Sequence, residues 1–278
     1  MLRTWQDVVA KWRLVAAGDD DGPEMARDSA RRARSALLDG RLDEAMADFE
    51  RAAELRGHAH DEVGIGDVLL ARGRWQAAAK HYRRADSADP GNTLAALGLS
   101  QALVASGQAE AAAAELERVY GTPTDPVLRY YLASTWCSVA EQARGRTRDE
   151  VLVFTSEDQL ATCESAARRI LDLDVDDAEL HRGAQRLLSE VAAGRRWQWR
   201  PEGLAVSLAV LSVSLGLILV AVGGLSGNVP LILLGIVLGS GLLYVIVVRF
   251  RRQEWRTRAD ALADQISENG DMRRPPQS

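Results

Sequence analysis

Along residues 26–194 apolar side chains recur every three or four positions, with charged residues filling the rest. That spacing is the mark of helices with one buried face. Ahead of this region Leu2, Trp5, Val9, Trp12 and Ala16 fall on one face of a further amphipathic helix over residues 1–17, and AGDDDGP (17–23) breaks it off. Beyond it the pattern changes in kind, because every residue from Gly203 to Val248 is uncharged. Two apolar runs lie there, Leu204–Val222 (extendable to Leu225) and Val229–Val248. At about 1.5 Å per residue each can cross a hydrocarbon core of roughly 30 Å. Gly223, Gly224, Gly227, Asn228 and Pro230 stand between them and can turn the chain, which predicts a two-helix transmembrane hairpin over 203–248. Trp255, Ala259, Leu262 and Ile266 then share one face of a juxtamembrane helix within 249–268, and 269–278 reads as a disordered tail.

The soluble part contains internal repeats. Gly40, Gly73 and Gly107 are spaced by 33 and 34 residues. Two positions after each stands Leu42, Trp75 or Ala109; five after, Ala45, Ala78 or Ala112; nine after, Phe49, Tyr82 or Leu116; twelve after, Ala52, Ala85 or Val119. Each unit reads as two antiparallel helices. The glycine ends the first helix, where a left-handed backbone is needed. Small alanines let the helices approach, and the large residue fills the gap to the neighbouring unit. Such a unit cannot bury its own apolar face, so the units must stack.

These residues resemble the tetratricopeptide repeat family, above all in the second unit, IGDVLLARGRWQAAAKHYRRADSADP, which ends at Pro90. The first unit has Gly57 where the closing proline is expected, and the third is rich in alanine. The resemblance implies an all-α solenoid over 26–194. Its repeats lie at about 26–58, 59–92 and 93–126, followed by a split repeat at 127–177 and a capping helix at 178–194. The split arises because VLRYYLASTWCSVAEQA (127–143) is followed by an insertion, and the repeat phase resumes only at Cys163, Ala167 and Ile170. By phase counting the insertion is about 17 residues, against roughly 2–8 for an ordinary helix–helix connection. The helix at 1–17 either caps the first repeat or is detached to bind a partner or the membrane surface.

Charge changes the picture in two ways. Residues 1–194 carry 24 basic and 33 acidic side chains, a balance of −9, whereas residues 195–278 carry 10 and 6, a balance of +4. The acidic solenoid excludes nucleic-acid binding through a global field. The basic residues flank the apolar runs: Arg195, Arg196 and Arg200 before, and Arg249, Arg251, Arg252, Arg256 and Arg258 after. The connecting loop carries none, so the positive-inside rule places both termini in the cytoplasm of a multi-pass membrane protein. Trp197, Trp199 and Tyr244 suit the interfaces. Residues 1–17 contain Arg3, Asp7, Lys11 and Arg13, so no signal-peptide core is expected there.

Catalytic chemistry is not expected. GxSxG, phosphate-loop, HExxH and dinucleotide-binding fingerprints are absent from the sequence. His58 and His60 are too few for a metal site. Cys137 and Cys163 suit small core positions. No cofactor and no metal is expected, and the chain is read as a non-enzyme.

Tetratricopeptide resemblance implies instead a concave groove, lined by the first helix of each unit, that binds a protein or peptide. By alignment that face carries Arg27, Arg31 and Arg34, then His60, Asp67 and Leu70, then Leu94, Gln101 and Val104. The arginines could hold an acidic segment. No asparagine lies in these helices, which argues against the family's mode of clamping a C-terminal carboxylate. The insertion 142–157, with Arg144, Arg146 and Arg148 beside VLVF, is a second candidate contact region. In the apolar runs Ser212, Gly216, Gly235 and Gly239 form small-residue pairs. These serve either packing within the hairpin or homo-oligomerisation through the spans. Two functions follow: a membrane-tethered scaffold that recruits a cytoplasmic partner, or a membrane-perturbing effector of a bacterial defence system whose spans oligomerise on sensing a partner. Neither span holds an ionisable residue, which disfavours a transport path.

Overall fold

The structure, a computed structural model, describes residues 11–14, 22–199 and 202–262. Most of the expected helix at 1–17 and the tail 269–278 lie outside the described residues. Lys11–Leu14 form a single 3-10 turn.

Seven helices build the repeats: α1 (Glu24–Leu38), α2 (Leu42–Arg56), α3 (Ala59–Ala71), α4 (Trp75–Ala88), α5 (Thr93–Ala105), α6 (Ala109–Tyr120) and α7 (Pro126–Ala143). The turns within the three units are the same structure three times. Gly40, Gly73 and Gly107 have φ of 74°, 71° and 79°. Each is followed by a residue whose N–H reaches back to the helix: Arg41 to Ala36 O, Arg74 to Leu69 O and Gln108 to Leu103 O, at 2.8–2.9 Å. These bonds satisfy carbonyls orphaned at the helix end. Between units, side chains begin the next helix. Asn92 accepts from Ala95 N–H at 3.0 Å, and Asp125 from Val127 N–H at 2.7 Å.

The residues aligned by the repeat are the ones that close the core. Ala45, Ala78 and Ala112 have no exposed surface, and Phe49, Tyr82 and Leu116 are buried. The two aromatic rings occupy space that only glycine leaves. A Cβ on Gly64 would stand 2.3 Å from the Phe49 ring, and Cβ atoms on Gly66 and Gly98 would stand 2.6 and 2.3 Å from that of Tyr82. First helices of successive units also touch one another, α1 with α3, α3 with α5 and α5 with α7, and make the layer that the repeat alignment assigns to the inner face. The inter-unit turn between α2 and α3 holds a buried fork: Arg56 Nε donates to Asp61 Oδ2 and its terminal nitrogen to Oδ1, both at 2.7 Å.

The chain divides into two compact units, residues 1–143 with 162–188, and residues 144–161 with 189–278. In the first, helices α8 (Glu157–Asp172) and α9 (Ala178–Gly194) contribute buried Cys163, Ala166, Ala167, Ile170, Leu180 and Ala184. Arg169 lies over the Trp136 ring and pairs with Glu117.

In the second unit the insertion forms a small β-hairpin. Strand β1 (Gly145–Arg146) pairs antiparallel with β2 (Leu152–Val153) around a turn at 147–150. Glu150 takes a φ of 63° there. A second ribbon is made of β3 (Trp197–Trp199) and β4 (Arg251–Gln253), paired antiparallel, Trp197 with Gln253 and Trp199 with Arg251. It joins the outer ends of two long apolar helices, α10 (Glu202–Leu225) and α11 (Val229–Phe250), which pack as a hairpin. Where the sequence predicts a helix directly after the apolar run, β4 comes first, and the helix α12 is Glu254–Leu262. The backbone of Arg251–Gln253 is taken up by pairing with β3, so the helix starts only once that edge ends. Residues 263–268 of the expected helix lie outside the described residues. Trp255 is buried, with Arg256 over its ring, and Glu254 N–H bonds Arg196 O at 2.9 Å. The described residues are thus all-α, a repeat solenoid, two apolar helices and a short helix, with two short antiparallel ribbons.

Candidate peptide-binding face

Helix α3 reads AHDEVGIGDVLLA, and Asp67 sits in its most apolar stretch. A carboxylate there has to find donors, because an unpaired buried charge costs several kcal/mol, on the order of 3–5. It finds three. Lys11 Nζ lies 2.5 Å from Oδ1, Tyr82 Oη donates to the same oxygen at 2.6 Å, and Trp12 Nε1 donates to Oδ2 at 2.7 Å. Asp67 and Lys11 both have no exposed side-chain surface. The Lys11 ammonium lies 4.8 Å from the centre of the Tyr82 ring. Trp12 stacks on Phe49 at 6.1 Å and meets His60 edge-on at 6.2 Å. His60 in turn stands edge-on to His58, whose Nδ1 caps α3 by accepting from His60 N–H.

Burial pushes the Asp67 carboxyl above its ordinary value, against the opposing charge and hydrogen bond of Lys11 and the bonds from Tyr82 and Trp12. Burial likewise holds the Lys11 ammonium below its ordinary value, against Asp67. The Tyr82 phenol is raised well above 10 by burial first, then by the charge of Asp67 and the bond to it. In all three, loss of water is the largest effect. Removing either partner of the pair would leave the other as an uncompensated buried charge.

The other expected groove residues are placed differently. Leu70 and Leu94 are 5% and 3% exposed and belong to the main core cluster, so they are packing positions rather than surface. Gln101 is buried, and Val104 packs against the cluster of Ala109, Ala113 and Val139. Arg27 is half-buried, Arg31 is exposed and paired with Asp28, and Arg34 bonds Ala30 O within its own helix. The structure thus brings His60 and Asp67 together around Lys11 and Trp12. Sequence periodicity did not reveal the partnership of Asp67 with residues 11 and 12. The available signal was a lone acid inside IGDVLL.

In the second unit Ser212 Oγ donates to Gly239 O at 3.0 Å, and a Cβ on Gly216 would stand 3.2 Å from both Gly235 O and Gly239 Cα. Ser212, Gly216, Gly235 and Gly239 therefore meet inside the α10–α11 hairpin. Among the described residues two helices, Val206–Leu225 and Val229–Val248, are long and apolar enough to cross a membrane. Their apolar side chains point outward; Leu217 is 65% and Val237 69% exposed.

Residues 69–133 match the family model for the tetratricopeptide repeat. The matched residues run from the end of α3 into α7, within the repeat solenoid. Among solved structures the chain is similar to MamA 41-end from Desulfovibrio magneticus RS-1, at 17% identity and a TM-score of 0.44, covering 62% of this chain and 96% of that one. It is also similar to a TPR repeats protein from Bacteroides fragilis NCTC 9343, at 12% identity and a TM-score of 0.39, covering 86% and 96%. Comparison with the curated proteins gives no match.

Proposed function

We propose that this chain is a membrane-tethered interaction scaffold: its inner face recruits a protein or peptide, and the α10–α11 hairpin holds the solenoid at the cytoplasmic side of a bilayer. The observation that carries the binding half is the Asp67 site. Asp67, a carboxylate within an apolar helix, takes one donor from the repeats, Tyr82, and two from Lys11 and Trp12 ahead of them, and Trp12 in turn rests against Phe49 and His60. The membrane half is supported by the outward-facing apolar surface of both helices. A buried core helix would hide that surface, whereas lipid makes it favourable. The arginines at both outer ends and the uncharged turn favour cytoplasmic flanks. The oligomerising-effector alternative asks the small-residue stripe to join several copies. Gly216 and Gly239 are already in contact within one hairpin, so that stripe supports packing in the monomer.

The test has two parts. A fluorescent protein fused after Ser278 is expected to fluoresce and to stay with membranes after alkaline carbonate washing; release into the wash rejects the tether. Co-purification from native membranes is then compared between the wild type and His60→Glu, a half-buried position of the inner face. A protein enriched with the first and lost with the second supports the scaffold. Equal recovery from both rejects the inner face as the binding surface.

A further inference from the structure

The Asp67 site is occupied by the chain itself. Two of its three donors come from Lys11 and Trp12, which lie on a single 3-10 turn ahead of the first repeat helix. Without them Asp67 would keep the Tyr82 hydroxyl as its donor among the described side-chain contacts and would face an aromatic wall. That wall is specific about what replaces them. Tyr82 offers a ring face 4.8 Å from a cation, Phe49 offers a face parallel to an indole, and the two carboxylate oxygens are divided between ammonium and indole N–H. An ammonium over an aromatic face and an indole N–H on a carboxylate are both matched contacts. The occupant is also tethered: Gly22, the next described residue, approaches Arg56, with its Cβ position 3.2 Å from the Arg56 side chain.

We propose that the inner face is a receptor for a cation–indole pair, that Lys11 and Trp12 hold it closed in cis, and that the partner carries an equivalent Lys–Trp or Arg–Trp segment that displaces them. This rests on reading the inner face as the partner surface. A resident segment lowers the apparent affinity of any competitor by the ratio of closed to open forms. Removing the resident side chains therefore strengthens binding of a competitor while removing the native contact. A second copy of the chain carries the same pair, but the resident turn sits in its own solenoid, so exchange between copies is not needed to fill the site.

The experiment uses the full chain in detergent micelles and a fluorescein-labelled peptide with the sequence of residues 5–17. Fluorescence anisotropy is expected to show binding to the K11A/W12A chain at least tenfold tighter than to the wild type. The same peptide with alanine at its lysine and second tryptophan is expected not to bind, and adding D67N to the K11A/W12A chain is expected to abolish binding of the original. Failure of the peptide to bind the folded K11A/W12A chain overturns the proposal, as does equal binding of the alanine peptide. If circular dichroism shows that K11A/W12A does not fold, hydrogen exchange on the wild type decides instead. Excess peptide is expected to speed exchange at residues 11–14, and unchanged exchange overturns the proposal. A wild-type dimer that K11A/W12A abolishes makes a second copy the occupant, which also overturns it. Peptide binding together with a negative co-purification rejects the scaffold reading and leaves the receptor intact.

Discussion

Tyr82 reaches Asp67 from the second helix of its repeat: its hydroxyl donates at 2.6 Å, and its ring fills the room left by Gly66 and Gly98. One side chain thereby sets both the spacing between consecutive repeats and the electrostatics of the inner face. Gly98→Ala tests the first role. A Cβ there would stand 2.3 Å from the ring, so the ring or the helix must move. The expected loss is about 1–3 kcal/mol of unfolding free energy, measured by urea titration. Gly183→Ala in α9, where a Cβ meets nothing within 4 Å, is expected to stabilise by about 0.5–1 kcal/mol.

The second role predicts an alkaline weakness. Tyr82 has its folded pKa raised above the unfolded value of about 10, so its contribution is present below that pH and is lost as pH rises through the folded value. Lys11 has the opposite sign, because its folded pKa is lowered and its contribution grows toward high pH. The comparison that isolates Tyr82 is therefore with Tyr82→Phe. That variant is expected to be about 1.5–3 kcal/mol less stable at pH 7, having lost a bond to a charged group. Its stability is also expected to decline less steeply than the wild type's above pH 10, read from thermal midpoints across the range.

The Arg56–Asp61 fork is 3% and 1% exposed, which makes it a true interior ion pair. Arg56→Ala strands the carboxylate and is expected to cost about 3–5 kcal/mol. Arg56→Lys cannot reproduce the two-pronged contact and is expected to recover only part of that. A double-mutant cycle with Asp61→Asn in urea measures the coupling. A cycle that closes to zero would show that the two residues act independently.

Contact between α10 and α11 predicts a position-specific tolerance of bulk. Gly216→Val and Gly239→Val place side chains against the facing backbone and are expected to lower the thermal midpoint in detergent micelles. Gly241→Val meets nothing within 4 Å in the hairpin and is expected to leave it unchanged. Equal effects from all three would mean that the hairpin contact does not set the stability.

What was legible in the sequence was what repeats. Gly40, Gly73 and Gly107, and the residues at fixed offsets from them, mark turns and core because each is dictated by contacts a few residues away. The two apolar helices were legible for a different reason, since length and absence of charge are properties of composition alone. What was not legible depends on pairing across long separations. Lys11 and Asp67 are 56 positions apart, and nothing periodic connects them. The alignment also put Leu70 and Leu94 on the inner surface, whereas they are packed in the core, because neighbouring first helices approach closely enough to cover them. The β3–β4 ribbon was missed because three residues on each side of a long apolar stretch carry too little pattern to announce a strand.

That ribbon has a consequence for how the chain is made. Trp197–Trp199 emerge from the ribosome before the first apolar helix, and their partners Arg251–Gln253 only after the second. The clasp cannot close until both apolar helices have been synthesised. By then the residues of α1–α7 have all left the ribosome and are free to stack, so the solenoid's first seven helices precede the ribbon in time. Maturation of the ribbon, unlike that of the repeats, waits for Arg251–Gln253.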